Sequence, residues 1–155
     1  MHPSALPETQ HMSGDKYFVD TNVFLYPHHF PHPAKRAPAK LWLAWLWESA
    51  CGVVSWQVLQ EFYRNALRKF GVAPELARYR VVLMSQWNPP DLTIGLIERA
   101  WHWSDEAQLD FWDAMILAAA ERTKCRFLLG EDFQTGRSFG SVTILNPFET
   151  SPPVS

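Results

Sequence analysis

Acidic residues follow two short apolar segments of the chain, at points where a β-strand is expected to end. Asp20 directly follows residues 17–19, and the pair Glu131 and Asp132 closely follows residues 127–129. In open α/β sheets ligands bind beyond the carboxyl ends of the strands, so these carboxylates are expected at a functional edge. Taken alone, Asp20 is more typical of an acid that ends a strand in a turn. The pattern also leaves open which acid of the pair faces inward.

A further carboxylate, Asp113, directly precedes residues 114–120, an apolar run that predicts a helix buried on all sides. A carboxylate at the entrance of such a helix is partly desolvated, so it needs a cation, a hydrogen-bond network or the positive end of the helix dipole. Asp110 lies three residues earlier. The spacing therefore also predicts a capping box, and the two interpretations are compatible because a first-turn side chain can still point into a cleft.

Glu61 lies on a predicted helix, on the side opposite its apolar stripe, and by itself is typical of a solvated glutamate. Considered together, the acids indicate one shared site. Clustered carboxylates repel and raise one another's pKa unless a hard cation neutralises them. Oxygen ligands with few protein donors are the set that Mg²⁺ or Mn²⁺ takes. Such a metal orients a water molecule and stabilises charge on a phosphodiester, so the pattern predicts metal-dependent phosphodiester cleavage.

The elements that must position these acids are set by proline, which cannot occupy a helix interior without losing a hydrogen bond. Strands that alternate with helices predict an α/β fold with a mainly parallel sheet and helices on both faces. In the helix after Pro74, we expect Leu76, Tyr79, Val82 and Leu83 to face inward. The predicted strands are 17–19, 53–55, 91–94, 126–129 and 142–145; the predicted helices are 39–50, 56–70, 74–86, 96–103 and 110–123, with a helical turn near Pro27 and a loop over 28–38.

Composition limits the function further. The 155 residues are 47% hydrophobic and 19% charged with a net charge of −2, which describes one globular domain and excludes nucleic-acid binding through bulk positive charge. No apolar stretch is long enough to span a membrane. Cys51 and Cys125 lie far apart without nearby ligands, which favours reduced thiols and a cytoplasmic location. We expect a flexible leader over 1–15, one domain over 16–148 and a flexible tail over 149–155.

Five blocks of the chain resemble PIN-domain proteins, and among them most closely the VapC-type toxins of bacterial toxin–antitoxin modules. The blocks occur in the family's order and at its spacing, and the resemblance covers about residues 16–148. They are Val19-Asp20-Thr21-Asn22-Val23, Gln57-Val58-Leu59-Gln60-Glu61-Phe62, Phe111-Trp112-Asp113-Ala114-Met115-Ile116, Leu128-Leu129-Gly130-Glu131-Asp132-Phe133 and Asn146-Pro147-Phe148.

The resemblance implies a three-layer α/β/α sandwich and a Mg²⁺-dependent endoribonuclease, with Mn²⁺ as a second candidate metal. It assigns catalysis and metal binding to Asp20, Glu61, Asp113 and Asp132, and so gives Glu61 a role and selects Asp132 over Glu131. It also implies an RNA substrate, a homodimer, and a small VapB-like antitoxin that forms a heterotetramer or larger complex with the toxin. The alternative is a PIN-like module that binds RNA or protein without cutting it.

Two positions depart from the family pattern. Gly130 stands where the family often has Thr or Ser, and Asp110 stands where it often has Ser. Asn22, Asp110, Glu131 and Arg137 are candidates to support the metal or contact substrate. The eight tryptophans are expected mainly in the core and in dimer packing, although an exposed one could stack on an unpaired base.

Overall fold

The computed structural model describes residues 14–29 and 32–153. Its five strands form one sheet in the order β2-β1-β3-β5-β4, with every pairing parallel except that of β4 with β5. Within the described ranges, no helix is both long and apolar enough to cross a membrane. The strands are β1 Tyr17–Val19, β2 Gly52–Val53, β3 Phe127–Leu129, β4 Ser138–Phe139 and β5 Val142–Leu145; the helices are α1 Thr21–Leu25, α2 Pro33–Ser49, α3 Trp56–Arg68, α4 Pro74–Met84, α5 Ile94–Ala107 and α6 Phe111–Arg122, with a 3₁₀ turn at Tyr26–His28.

The central strand β1 pairs with β2 on one side and with β3 on the other. All its residues are buried. A strand that is buried on both faces is apolar throughout, so its sequence shows no alternation of polar and apolar residues. Tyr17 begins this strand, and its ring packs against Trp42, Trp45 and Phe127 at centroid distances of 5.8, 5.3 and 5.0 Å. This aromatic cluster fixes α2 against the sheet, and helices cover both faces as the α/β/α prediction requires.

Side-chain caps determine where α3, α5 and α6 begin. The Ser55 hydroxyl accepts from the backbone N–H of Val58 at the start of α3, and the Thr93 hydroxyl accepts from Leu96 N–H at the start of α5. Asp110 caps α6, as the sequence predicts, through its Oδ2. Each cap satisfies a backbone donor that has no partner inside the helix.

Two predicted segments are wrong. Residues 91–94 form no strand, because Thr93 instead caps α5 and Ile94 is 65% exposed in its first turn. The predicted loop over 28–38 ends early, since α2 begins at Pro33 and continues through Pro38. Proline at the first helical position costs no hydrogen bond, and burial of the residues that follow outweighs the bond lost at Pro38.

The orientation predicted for α4 is wrong for three of its four residues, since only Leu83 is half-buried. Leu76, Tyr79 and Val82 are 41%, 60% and 68% exposed, whereas Ala77 is fully buried. The small Ala77 side chain faces the core and allows close approach to α3, so the larger apolar residues turn outward. No sequence pattern predicts β4, because a two-residue strand is too short to show one.

Residues from both predicted flanking segments contact the folded domain. Asp15, in the predicted leader, accepts a hydrogen bond from an Arg126 guanidinium nitrogen at 3.1 Å. In the predicted tail, Thr150 is buried and its carbonyl accepts from Trp42 Nε1 at 2.7 Å. Residues 1–13 of the predicted leader lie outside the described residues.

Candidate active site

The four predicted acids line one pocket of about 170 Å³ at the carboxyl end of the parallel strands. They reach it from four distant segments. Asp20 directly follows β1, Glu61 lies in α3, Asp113 is in the first turn of α6, and Asp132 follows β3. Because β1 and β3 are adjacent and parallel, the acids that follow them meet at the same edge of the sheet.

Asp20 is the most buried of these acids, with 7% of its surface exposed. Its Oδ1 accepts from the backbone N–H of Thr21 at 2.7 Å, so it also caps α1, and its own N–H donates to the Leu129 carbonyl at 3.0 Å. The pKa of Asp20 is raised to about 7, first by burial and then by the charges of the neighbouring acids, which together outweigh the Thr21 hydrogen bond that lowers it. Asp20 therefore ends its strand in a turn and also belongs to the acid pocket, so the two interpretations are compatible.

Glu61 is half-buried and held on both oxygens, unlike a solvated surface glutamate. Its Oε2 accepts from the Thr21 hydroxyl at 2.8 Å, and its Oε1 accepts from Gln57 Nε2 at 3.0 Å. The Thr21 contact joins α3 to the residue directly after Asp20. The expectation drawn from Glu61 alone is thus wrong, and its carboxylate is fixed toward the pocket.

The remaining two acids also have raised pKa values. Burial raises the pKa of Asp113, with added repulsion from the charges of Asp110, Asp132 and Glu61. Burial and the charge of Glu131 raise the pKa of Asp132, while the Lys35 ammonium lowers it. The pocket therefore concentrates negative charge that one nearby lysine only partly offsets.

Glu131 does not line the pocket; it faces a separate polar cluster. Its carboxylate forms an ion pair with Lys35 and accepts from the Tyr26 hydroxyl at 2.9 Å and from Asn22 Nδ2 at 3.2 Å. The Lys35 ammonium also lies over the rings of Tyr26 and Phe148, 4.9 and 5.4 Å from their centroids. Asn22 lines the acid pocket as well, so it connects the two groups.

The other two candidates for supporting roles lie outside the pocket lining. The Asp110 carboxylate accepts from the backbone N–H of Trp112 at 3.1 Å, so it acts on the pocket only through its charge. The Arg137 guanidinium lies over the Phe139 ring, 4.4 Å from its centroid. Nothing in this arrangement brings Arg137 to the acids.

Three polar residues that line the pocket, Thr21, Gln57 and Asn65, are not among the candidates from the sequence, and neither is the apolar Ile116. A signal for two of them was present. Gln57 and Asn65 lie four residues before and after Glu61, and side chains at this spacing share one face of a helix. The polar face of α3 opposite the apolar stripe could therefore have been recognised as one wall of the site.

Gly130 is packed against the buried acid. A Cβ atom built on Gly130 would lie 3.3 Å from Asp20 Oδ2 and 3.3 Å from Leu128 Cδ2. That spacing is tighter than ordinary van der Waals contact. The glycine thus keeps space beside Asp20 that a serine or threonine would occupy.

The pocket suits a hard divalent cation. Within residues 14–29 and 32–153, no three His, Cys, Asp or Glu side chains stand in the arrangement of a preformed metal cage. Mg²⁺ needs no such cage, because it usually keeps several waters and binds through one or two carboxylates together with substrate phosphate. The donor set consists of carboxylate oxygens around a buried acid of raised pKa, and a bound cation would relieve the repulsion among these carboxylates.

A larger cavity of about 520 Å³, between α2 and α4, has a mainly apolar lining and lies apart from these acids.

Comparisons with known proteins agree with this architecture. The structure is similar to the crystal structure of VapC20 from Mycobacterium tuberculosis, described as a toxin that cleaves the sarcin–ricin loop. The TM-score is 0.58 at 24% identity, over 73% of this chain and 87% of that one. No curated protein matches the sequence. The PIN domain model matches residues 17–134, which contain all four pocket acids. The chain therefore belongs to the PIN domain family.

Proposed function

We propose that this protein is a metal-dependent endoribonuclease that cleaves RNA phosphodiester bonds with Mg²⁺, or with Mn²⁺ in its place. The observation that carries the proposal is the convergence of Asp20, Glu61, Asp113 and Asp132 on one pocket in a chain of the PIN family. Bound there, the divalent cation would activate a water molecule and stabilise the charge that develops on the phosphate. These acids would hold the cation.

The residues around the acids would keep the site in a fixed geometry. Thr21 uses its backbone N–H to hold Asp20 and its hydroxyl to hold Glu61, so one residue orients two carboxylates. Gln57 restrains the second oxygen of Glu61 and also donates to the Trp112 carbonyl at 3.2 Å. Such restraint of the ligands reduces reorganisation during the reaction.

The decisive experiment replaces Asp113 by Asn. Purified wild-type protein is expected to cleave RNA only when Mg²⁺ or Mn²⁺ is added, and to leave 5′-phosphate and 3′-hydroxyl ends. Asp113→Asn should reduce cleavage by at least about 100-fold, because it removes a carboxylate charge from the site. The readouts are RNA cleavage by gel electrophoresis, end-group analysis of the products and calorimetric titration with Mg²⁺.

The matched control is Asp105→Asn, an identical substitution at an exposed position in α5. It should cleave like wild type, and both variants should show the wild-type circular dichroism spectrum. If Asp113→Asn cleaved as well as Asp105→Asn, the proposal would be wrong. Full retention of RNA binding and of cellular effects in Asp20→Asn would favour the alternative of a non-catalytic module.

We further propose that the enzyme acts in the cytoplasm as the toxin of a type II toxin–antitoxin pair, as a homodimer held by a small VapB-like antitoxin. Support comes from the fold that it shares with a VapC toxin. Induced expression should arrest growth, and co-expression of a small protein encoded next to it should restore growth. Arrest by Asp113→Asn as strong as by wild type would contradict a toxic role for RNA cleavage.

A further inference from the structure

Trp112 is an exposed tryptophan whose backbone is joined to the acid pocket, although its side chain is not part of the pocket lining. Its side chain is 59% exposed, although the next residue in the chain, Asp113, lines the pocket. Its backbone is held on both sides: the N–H donates to Asp110 Oδ2 at 3.1 Å, and the carbonyl accepts from Gln57 Nε2 at 3.2 Å. Because Gln57 also holds Glu61, the position of the indole is coupled to that of the site.

The exposure of this indole contrasts with the rest of its helix. Residues 114–120 of α6 are all buried, so the helix enters the core directly after Asp113. Phe111 supports the indole edge-on at a centroid distance of 5.0 Å but leaves most of it in solvent. A single exposed tryptophan needs no explanation by itself, so it is the place of Trp112 beside a pocket acid, and not its exposure alone, that points to a ligand. Trp56, 46% exposed, stands in a similar place, directly before the pocket residue Gln57.

An aromatic contact is what an RNA ligand needs beside this pocket. The clustered carboxylates repel phosphates, so the protein gains little by holding the RNA backbone there through its own charges. A neutral base is not repelled, and its flat face stacks on an indole whatever its identity. Stacking of this kind requires that the base be unpaired.

We propose that Trp112 is a positioning residue that stacks on an unpaired base beside the phosphodiester presented to the acid pocket. This inference rests on the proposed nuclease function. It adds to that function one positioning contact, made by Trp112.

The test compares Trp112→Ala with Trp112→Phe and with Trp101→Ala. Trp101 is a matched control because it is 52% exposed on α5, and neither it nor its chain neighbours line the pocket. The probe is a fluorescein-labelled single-stranded oligoribonucleotide of mixed sequence, free or annealed to its complement. Trp112→Ala should raise KM for the single strand by about tenfold or more and leave kcat within about twofold of wild type. Trp112→Phe should restore most of the affinity, and Trp101→Ala should match wild type.

Fluorescence anisotropy in the Asp113→Asn background measures binding without cleavage and should show the same ranking of variants on the single strand. The annealed probe should bind weakly and equally to all variants. If Trp112→Ala binds and cuts like Trp101→Ala, the inference is overturned while the nuclease function stands. A loss of self-association in Trp112→Ala with unchanged KM would assign the indole to a contact between copies, and would also overturn it. If the wild type neither binds nor cuts the probe, both proposals fail.

Discussion

Asp20 combines a structural with an electrostatic role at the level of a single residue. It caps α1 by accepting a hydrogen bond from the Thr21 N–H. It is also buried near three other acids, whose charges raise its pKa. Its carboxylate is confined on the far side by Gly130. In this chain Gly130 therefore leaves open the space beside Asp20 that a Thr or Ser side chain would fill.

The substitution Gly130→Ala tests this confinement. The added Cβ would lie 3.3 Å from Asp20 Oδ2, so we expect Asp20 to shift and the protein to lose roughly 1 kcal/mol of unfolding free energy, together with Mg²⁺ affinity. Urea denaturation and calorimetric titration measure the two effects. Gly95→Ala in α5 is the control, since a Cβ there has ordinary contacts and alanine favours the helix. Equal Mg²⁺ affinity in both variants would show that position 130 does not constrain Asp20.

At the level of the element, α3 connects the core to the site. One face of this helix buries Val58, Phe62 and Ala66, and the opposite face carries Glu61 with its neighbours one turn away. Just before it, the edge strand β2 is covered by Trp87, which packs against Phe24 at a centroid distance of 5.7 Å. A Cβ atom on Gly52 of β2 would lie 2.7 Å from the Trp87 ring.

Gly52→Ala should therefore displace Trp87. We expect a loss of roughly 1–3 kcal/mol in unfolding free energy, measured by urea denaturation. The clash depends on the size of the partner, so the cost of Gly52→Ala should fall sharply in a Trp87→Leu background. A double-mutant cycle gives this coupling directly. Additive costs would indicate that the glycine is needed for another reason.

Most elements of this fold follow from local patterns in the sequence. The stripe in α3 and the apolar runs at β1 and β3 predict their elements, and the acids that follow these strands predict one edge of the sheet. For Glu61 and for the choice of Asp132 over Glu131, the resemblance was needed. Periodicity could not show that Lys35, from a distant helix, engages the Glu131 carboxylate.

The wrong predictions share a physical cause: where local preferences are weak, tertiary contacts determine the structure. Residues 91–94 have strand-like composition, but the cap at Thr93 begins a helix there. In α4, Leu76 and Val82 satisfy a helical period as well as Ala77 does. Only the packing against α3 determines which side is buried.

The charge of the whole molecule is unevenly distributed. Of the 16 acidic residues, four line the pocket, so the remaining chain carries 14 basic and 12 acidic side chains. Folding thus brings negative charge together in one place. The cost of this charge concentration in folding free energy depends on pH. The pKa of Asp20 is about 7 in the folded state and 3.8 ordinarily, so the folded state keeps this proton to a higher pH.

We expect metal-free protein to lose stability as pH rises from about 4 to 7, because over this window the folded state binds more protons than the unfolded state. The total loss from Asp20 is up to about 4 kcal/mol, and stability should change little from this group above pH 8. Denaturation in EDTA at several pH values measures it. Asp20→Asn should flatten the profile and be the more stable protein at pH 8.

Added Mg²⁺ should stabilise wild type more at pH 8 than at pH 6, because protons compete with the metal for the same carboxylates. Asp105→Asn serves again as the control and should follow wild type throughout. If wild type and Asp20→Asn had parallel pH profiles in EDTA, burial of Asp20 would not be the source of the effect.

The separation of the acids along the chain has a consequence for synthesis of the protein. Asp20 is translated before the other three acids, but its backbone N–H needs the Leu129 carbonyl, and Asp132 is the last of the four carboxylates to be added. A nascent chain that has not reached Phe127 lacks β3, the neighbour of β1, as well as one wall of the pocket. The proposed nuclease is therefore inert until Asp132 has been translated.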